Sequence, residues 1–295
     1  MDRIAVFVDS GYLFAQGSAA IGNGSKQPRT DLLLDPQIAL DCLRQVAEKC
    51  APACGLLRVY WYDGAIGGSR PTSEQALLAA LNDVKLRLGF VNSHGQQKGV
   101  DSLIVTDMIE LARQKAICDV LLLSGDEDVR IGVQIAQNYG VRVHLLGIHP
   151  ARGSQSQQLL HEADTTWEWM ADDLRKFLTI KEKQTDLGQL QGTSANPKLV
   201  EGQGPKSDTH IVQTIGDAVR LFVKELELTA IQGVAAYWTT SRGVPPDLDR
   251  RLLPTCREKI GRDLEKTEIR AMRAEFQNQV KIRMADSSGP EGRTS

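Results

Sequence analysis

The chain has 295 residues, of which 41% are hydrophobic and 24% charged, and a formal net charge of −2. Those values fit a globular protein with one large domain or two smaller ones. They exclude a chain whose overall field draws in nucleic acid, and leave only local clusters for that purpose.

Continuous apolar runs open the sequence. "RIAVFVD" (3–9), "LLRVYWYD" (56–63), "DVLLLSGD" (119–126) and "VRVHLLG" (141–147) read as strands covered on both faces, with "GFVNS" (89–93) as a weaker fifth. Helical patterns lie between them. Residues 35–50 have Asp35 at the N-cap and Pro36 in the first helical position. Residues 72–89 read as one helix closed by Gly89. Two more follow, at 100–115 and 127–140. This alternation predicts an α/β fold, a Rossmann-like parallel sheet with helices on both faces.

Composition changes beyond the first 170 residues. The domains are expected at 1–171 (α/β head), 184–208 (flexible linker rich in Gly, Gln and Ser), 209–284 (small helical C-terminal domain, broken internally at "PPDLDRRLLP") and 285–295 (disordered tail). Acidic residues outnumber basic ones in the head, and the reverse holds after it. Lys259, Arg262, Lys266, Arg270 and Arg273 would form a basic stripe on a continuous helix, but the apolar positions change face near Thr267. A break there splits the stripe into ordinary solvated charge.

No run approaches the roughly 18 apolar residues of a membrane span, and the N-terminus lacks the layout of a signal peptide. A cytoplasmic location with no membrane partner is expected. The cysteines (Cys42, Cys50, Cys54, Cys118 and Cys256) are odd in number. Cys50 and Cys54 stand four apart with no second Cys/His pair nearby in sequence, which reads as reduced thiols rather than a zinc site.

The acids carry the chemistry. Asp9 ends the first strand, and "SGDED" closes the strand at 119–126 with Asp126 and Asp128. In open parallel sheets, ligands bind beyond the carboxyl ends of strands. Asp101 opens the helix after "QQKG". Singly, each acid has a plain structural explanation as a cap or first-turn residue. Jointly, such a cluster needs a proton or a cation to relieve its repulsion. Hard oxygen donors select Mg²⁺ or Mn²⁺, which can activate water against a phosphodiester.

"FVDSGYL", "KGVDSLIVTDM" and "LLLSGDEDV", in this order, resemble the NYN domain, a branch of the PIN-like nuclease superfamily. The resemblance spans roughly residues 1–170 and implies a metal-dependent ribonuclease head acting on single-stranded or structured RNA. Carried over by position, it makes Asp9, Asp101, Asp126 and Asp128 the catalytic, metal-holding acids, with Asp107 an outer member. Ser124 and Lys98 are candidates for substrate contact. The pattern departs at Tyr12, where many relatives carry Asn, so a non-catalytic RNA-binding adaptor on the same fold stays open. The C-terminal domain is expected to bind RNA or a protein partner, or to form a homodimer. A small-molecule phosphohydrolase is disfavoured, because aspartyl-phosphate chemistry wants a second Asp where Gly11 stands.

Overall fold

The computed structural model describes residues 2–65, 70–91, 97–181 and 208–287. These residues form two compact units, one of 2–181 with Gln232–Ser241 and one of 208–231 with 242–287. The expected linker (184–208) lies almost wholly outside the described residues, as does most of the expected tail.

In the first unit the chain runs β1 (Arg3–Asp9), α1 (Ser10–Ile21), β2 (Leu32–Leu34), α2 (Pro36–Cys50), β3 (Gly55–Ala65), α3 (Ser73–Ala80), β4 (Val84–Val91) and β5 (Gln97–Lys98). It continues through α4 (Val100–Arg113), β6 (Asp119–Leu123), α5 (Arg130–Asn138), β7 (Arg142–Ile148) and the short α6 (Ala151–Ser154) and α7 (Gln157–Glu162). β8 (Thr165–Trp169), α8 (Ala171–Leu174) and β9 (Leu178–Ile180) complete it. The main sheet has the order β5-β4-β3-β1-β6-β7-β8, parallel throughout except for the antiparallel edge strand β5. β2 and β9 pair separately as an antiparallel ribbon.

Alternation along β1 shows why its residues read as one apolar run. Ile4, Val6 and Val8 enter a core roofed by Leu13 of α1 and Leu40 and Leu43 of α2. Ala5 and Phe7 enter the opposite core, with Ile104 and Met108 of α4 and Val133 of α5. Phe7 stacks with Tyr60 and Tyr62 of β3 at ring-centroid distances of 5.3 and 5.9 Å. The first core continues past residue 171 through Leu174, Phe177 and Leu178.

Two sequence expectations fail here. The helix expected over 72–89 is α3 followed by β4. A capping box of Thr72 and Gln75 starts α3, and Asp83 at φ +66° ends the connection. Val84, Leu86 and Leu88 then alternate with Lys85 and Arg87, which is the period of a strand. The break expected at "PPDLDRRLLP" is instead helical, with Pro245 as N-cap, Pro246 in the first turn and Pro254 inside. A proline in the first turn costs no hydrogen bond, because that N–H has no intrahelical partner.

Among the described residues the C-terminal region carries four helices: α9 (Asp208–Glu225), α10 (Leu228–Thr240), α11 (Pro246–Ile260) and α12 (Lys266–Ser287). Most of α10 belongs with the first unit. Gly261, at φ +79°, caps α11, so the basic stripe is split between two helices close to the expected break. Arg262 pairs with Glu268 at 2.7 Å and Arg273 with Asp249 at 2.6 Å. These pairs fit a solvated charged face. Among the described residues, no helix is long and apolar enough to cross a membrane.

The stacked core should dominate head stability. Phe7 is fully buried, and Phe7→Ala should cost about 3–5 kcal/mol. Ile131 is exposed, and Ile131→Ala should stay within about 0.5 kcal/mol. Urea unfolding monitored by circular dichroism separates the two; similar losses would contradict this core.

Candidate metal centre

The strand order turns back between β1 and β6. From β1 the chain goes outward through β3 and β4, then returns through α4 to place β6 on the other side of β1. The carboxyl ends of β1 and β6 therefore border the crevice where open α/β sheets bind ligands. Asp9 is the last residue of β1, and Ser124, Gly125 and Asp126 follow β6.

Asp101, Asp126 and Asp128 come together there, each offering a carboxylate oxygen within 4.8 Å of the others. Asp101 is the second residue of α4, while Asp126 accepts the Asp128 N–H at 3.1 Å in a tight turn. The two backbones meet closely because Gly132 of α5 sits against Val105 of α4, where a Cβ would lie 3.1 Å from the Val105 Cα. Glu127, between the two aspartates, is exposed and outside the converging set.

Asp9 lies deeper, only 8% exposed. Its Oδ1 accepts the Tyr12 N–H at 3.2 Å, capping α1, and its Oδ2 accepts the Ser124 hydroxyl at 3.1 Å. Burial, reinforced by the negative charge of Asp101, raises its pKa from 3.8 to about 6. Asp101 is itself held above the usual carboxylate range by partial burial and then by the charges of Asp126 and Asp128. All the donors in this set are hard oxygens, the chemistry that suits Mg²⁺ or Mn²⁺.

Other expected site residues fall elsewhere. Asp107 lies outside the converging set: Arg87 holds both of its oxygens, at 2.8 and 2.9 Å, and the Tyr62 hydroxyl donates to one of them at 3.0 Å. Ser124 is fully buried, and its hydroxyl is engaged with Asp9. The side chain of Lys98 lies outside the described residues, as does His94.

Several supports were not legible as site residues. The Gln155 amide donates to the Ser124 carbonyl at 2.7 Å and the Leu146 carbonyl at 3.2 Å, and the Ser156 N–H donates to the Gly125 carbonyl at 2.9 Å. Tyr12 accepts the Ile148 N–H at 3.1 Å, and its hydroxyl lies 2.9 Å from the Ser154 Oγ. Its ring fills the space beside Gly125, where a Cβ would come within 2.4 Å of both the ring and the Ser154 carbonyl. Only glycine fits there. The "SGD" turn is thus braced from the 154–156 segment, which has no motif to announce it.

The NYN domain family model matches residues 3–169. The chain belongs to the NYN domain family. It is 51% identical over 210 residues to the uncharacterized protein y4oD of Sinorhizobium fredii, a match covering 71% of this chain and 97% of that protein. A crystal structure of a protein of unknown function from Vibrio parahaemolyticus is also similar. It shares 24% identity, with a TM-score of 0.41, over 60% of this chain and 96% of that one. The NYN match covers all four expected acids and carries a nuclease-like fold.

Asp9 sets a pH dependence. Its folded-state value, about 6, lies above the ordinary 3.8, so the folded state holds the Asp9 proton more tightly than the unfolded state does. The resulting stability is fully present below the unfolded value and is lost as pH rises through the folded one. At neutral pH the deficit is on the order of 3 kcal/mol. In chelator, the wild type should lose stability relative to Asp9→Asn between about pH 4 and 6, leaving the variant more stable at pH 7. Parallel stability curves for the two proteins would contradict the buried carboxyl.

Proposed function

We propose that this protein is a cytoplasmic, Mg²⁺- or Mn²⁺-dependent endoribonuclease that hydrolyses RNA phosphodiester bonds at the β1/β6 crevice. The observation that supports it is the convergence of the Asp101, Asp126 and Asp128 carboxylates within 4.8 Å at that crevice. Bound there, a divalent ion supplies charge neutralisation at the phosphate and a more acidic water. In this proposal Asp101, Asp126 and Asp128 are the ligands. Asp9 borders them as the fourth acid, fixed by Ser124 and by the start of α1. Lys98, two residues before α4 begins, keeps the role of phosphate contact. The helical region 209–284 is assigned RNA or partner binding, including self-association.

One observation favours a second reading, a non-catalytic RNA-binding adaptor. Where many NYN relatives carry an Asn, the Tyr12 hydroxyl is occupied by Ser154 and the Ile148 N–H. No free amide or hydroxyl remains at that position to orient water or substrate.

Cleavage and binding, measured separately, distinguish the two readings. Labelled single-stranded RNA is incubated with protein in Mn²⁺ for cleavage, and in chelator for binding. The wild type should cleave, and a protein carrying Asp101→Asn with Asp126→Asn should fall to background. That variant should bind RNA as well or better, because two negative charges leave the crevice. Equal cleavage by both proteins would overturn the assignment of these carboxylates. Binding with no cleavage by the wild type would establish the adaptor.

A further inference from the structure

The amino-terminal ends of the same parallel strands carry a second cluster, built from residues that the acidic crevice does not use. Cys54 directly precedes β3, Cys118 directly precedes β6, and Asp119 is the first residue of β6. The Cys54 and Cys118 sulfurs are 3.3 Å apart, and the Cys54 thiol reaches Asp119 Oδ2 at 3.3 Å. One ligand atom from each of the three residues lies within 4.8 Å of the others. Sequence spacing hides this set, because 64 positions separate the two cysteines.

The carboxylate is held as a ligand would be. Asp119 Oδ1 lies 2.9 Å from His144 Nε2, and His144 Nδ1 lies 2.7 Å from Thr165 Oγ1. The Trp167 indole N–H donates to that same Thr165 oxygen at 3.1 Å. The Asp119 carboxylate, its pKa held below the ordinary range, can only accept, so Nε2 donates to it. Nδ1 of the neutral ring then accepts the Thr165 proton, which the indole donor leaves free. His144 is 1% exposed, and this chain of bonds fixes both its tautomer and the aim of Oδ2. Such an imidazole-to-carboxylate brace is the outer-shell pattern that orients metal ligands. Cys54 and Cys118 are partly exposed, which leaves a route for an ion.

We propose that Cys54, Cys118 and Asp119 form a binding site for a thiophilic divalent cation of the Zn²⁺ class. Soft thiolates select Zn²⁺ over the hard cations that suit the acidic crevice. Tetrahedral Zn²⁺ with roughly 2.3 Å bonds to sulfur and about 2.0 Å to oxygen separates its ligands by roughly 3.5–3.8 Å. The three atoms therefore need to move only slightly apart. On binding, the Cys54 and Cys118 thiols each release a proton, and the ion takes the place of the proton now shared between Cys54 and Asp119. Three protein ligands leave the fourth tetrahedral position open to solvent, which the partial exposure of Cys54 and Cys118 permits. A Cys54–Cys118 disulfide accounts for the geometry less well. It would consume the thiol proton that Asp119 Oδ2 accepts and leave a buried carboxylate oxygen without that partner.

The test uses the full-length protein, fully reduced and anaerobic, titrated with Co²⁺ and followed by absorption. The wild type should develop thiolate-to-cobalt charge transfer in the near ultraviolet that saturates and is lost on adding Zn²⁺. Co²⁺ held by the oxygen donors of the acidic crevice gives no such band. Cys54→Ser and Cys118→Ser should abolish the band, whereas Asp126→Asn, at the other end of the sheet, should keep it. Absence of the band from folded, reduced wild type would overturn the proposal without recourse to any variant. Retention of the full band in both serine variants would overturn it as well.

Discussion

A single buried hydroxyl ties the two central strands together where the sheet reverses its order. Ser124 donates to Asp9 at the end of β1 and accepts the Asp126 N–H at 3.4 Å at the end of β6. The placing of Asp9 against the Asp126 turn depends on that link. It fixes a carboxylate that burial disfavours, and it sets the start of the turn on which Asp126 and Asp128 sit. Gln155, Ser154 and Tyr12 brace the same turn from behind. The fold thus holds like charges together at a cost, and that is the arrangement a cation would relieve.

The parallel sheet was legible because its physics is local. Strands buried on both faces must be apolar at every position, and β1, β3, β6 and β7 announce themselves in that way. β4 showed only at its end, because Lys85 and Arg87 interrupt it and the preceding helix blurs its start. Residues 89–91 of the strand expected over 89–93 fall in it, and 92–93 lie outside the described residues. The acids at 9, 101, 126 and 128 stood out because strand ends and helix starts are defined by sequence position. The partners of Asp107 were not legible, since nothing in its neighbourhood predicts Arg87 and Tyr62 arriving from other strands.

Contacts across long sequence separations were invisible for the same reason. Gln155 reaches back 31 positions to Ser124, and Tyr12 forward 136 positions to Ile148. The Cys54, Cys118 and Asp119 cluster draws on the starts of two strands separated in the sheet by β1. Asp9 and Asp119 lie at opposite ends of adjacent strands, one among hard oxygen donors and the other beside thiols. Parallel strands place equivalent ends together, so a single sheet can present two chemically distinct clusters.

Direct counting of bound Mn²⁺ tests the acidic centre most simply, because free Mn²⁺ gives a sharp electron paramagnetic resonance signal that binding removes. Titrated with Mn²⁺, the wild type should deplete that signal, and Asp101→Asn should restore most of it while remaining folded. Depletion of equal size in both proteins, or none in the wild type, would contradict a divalent-metal centre built on Asp101, Asp126 and Asp128.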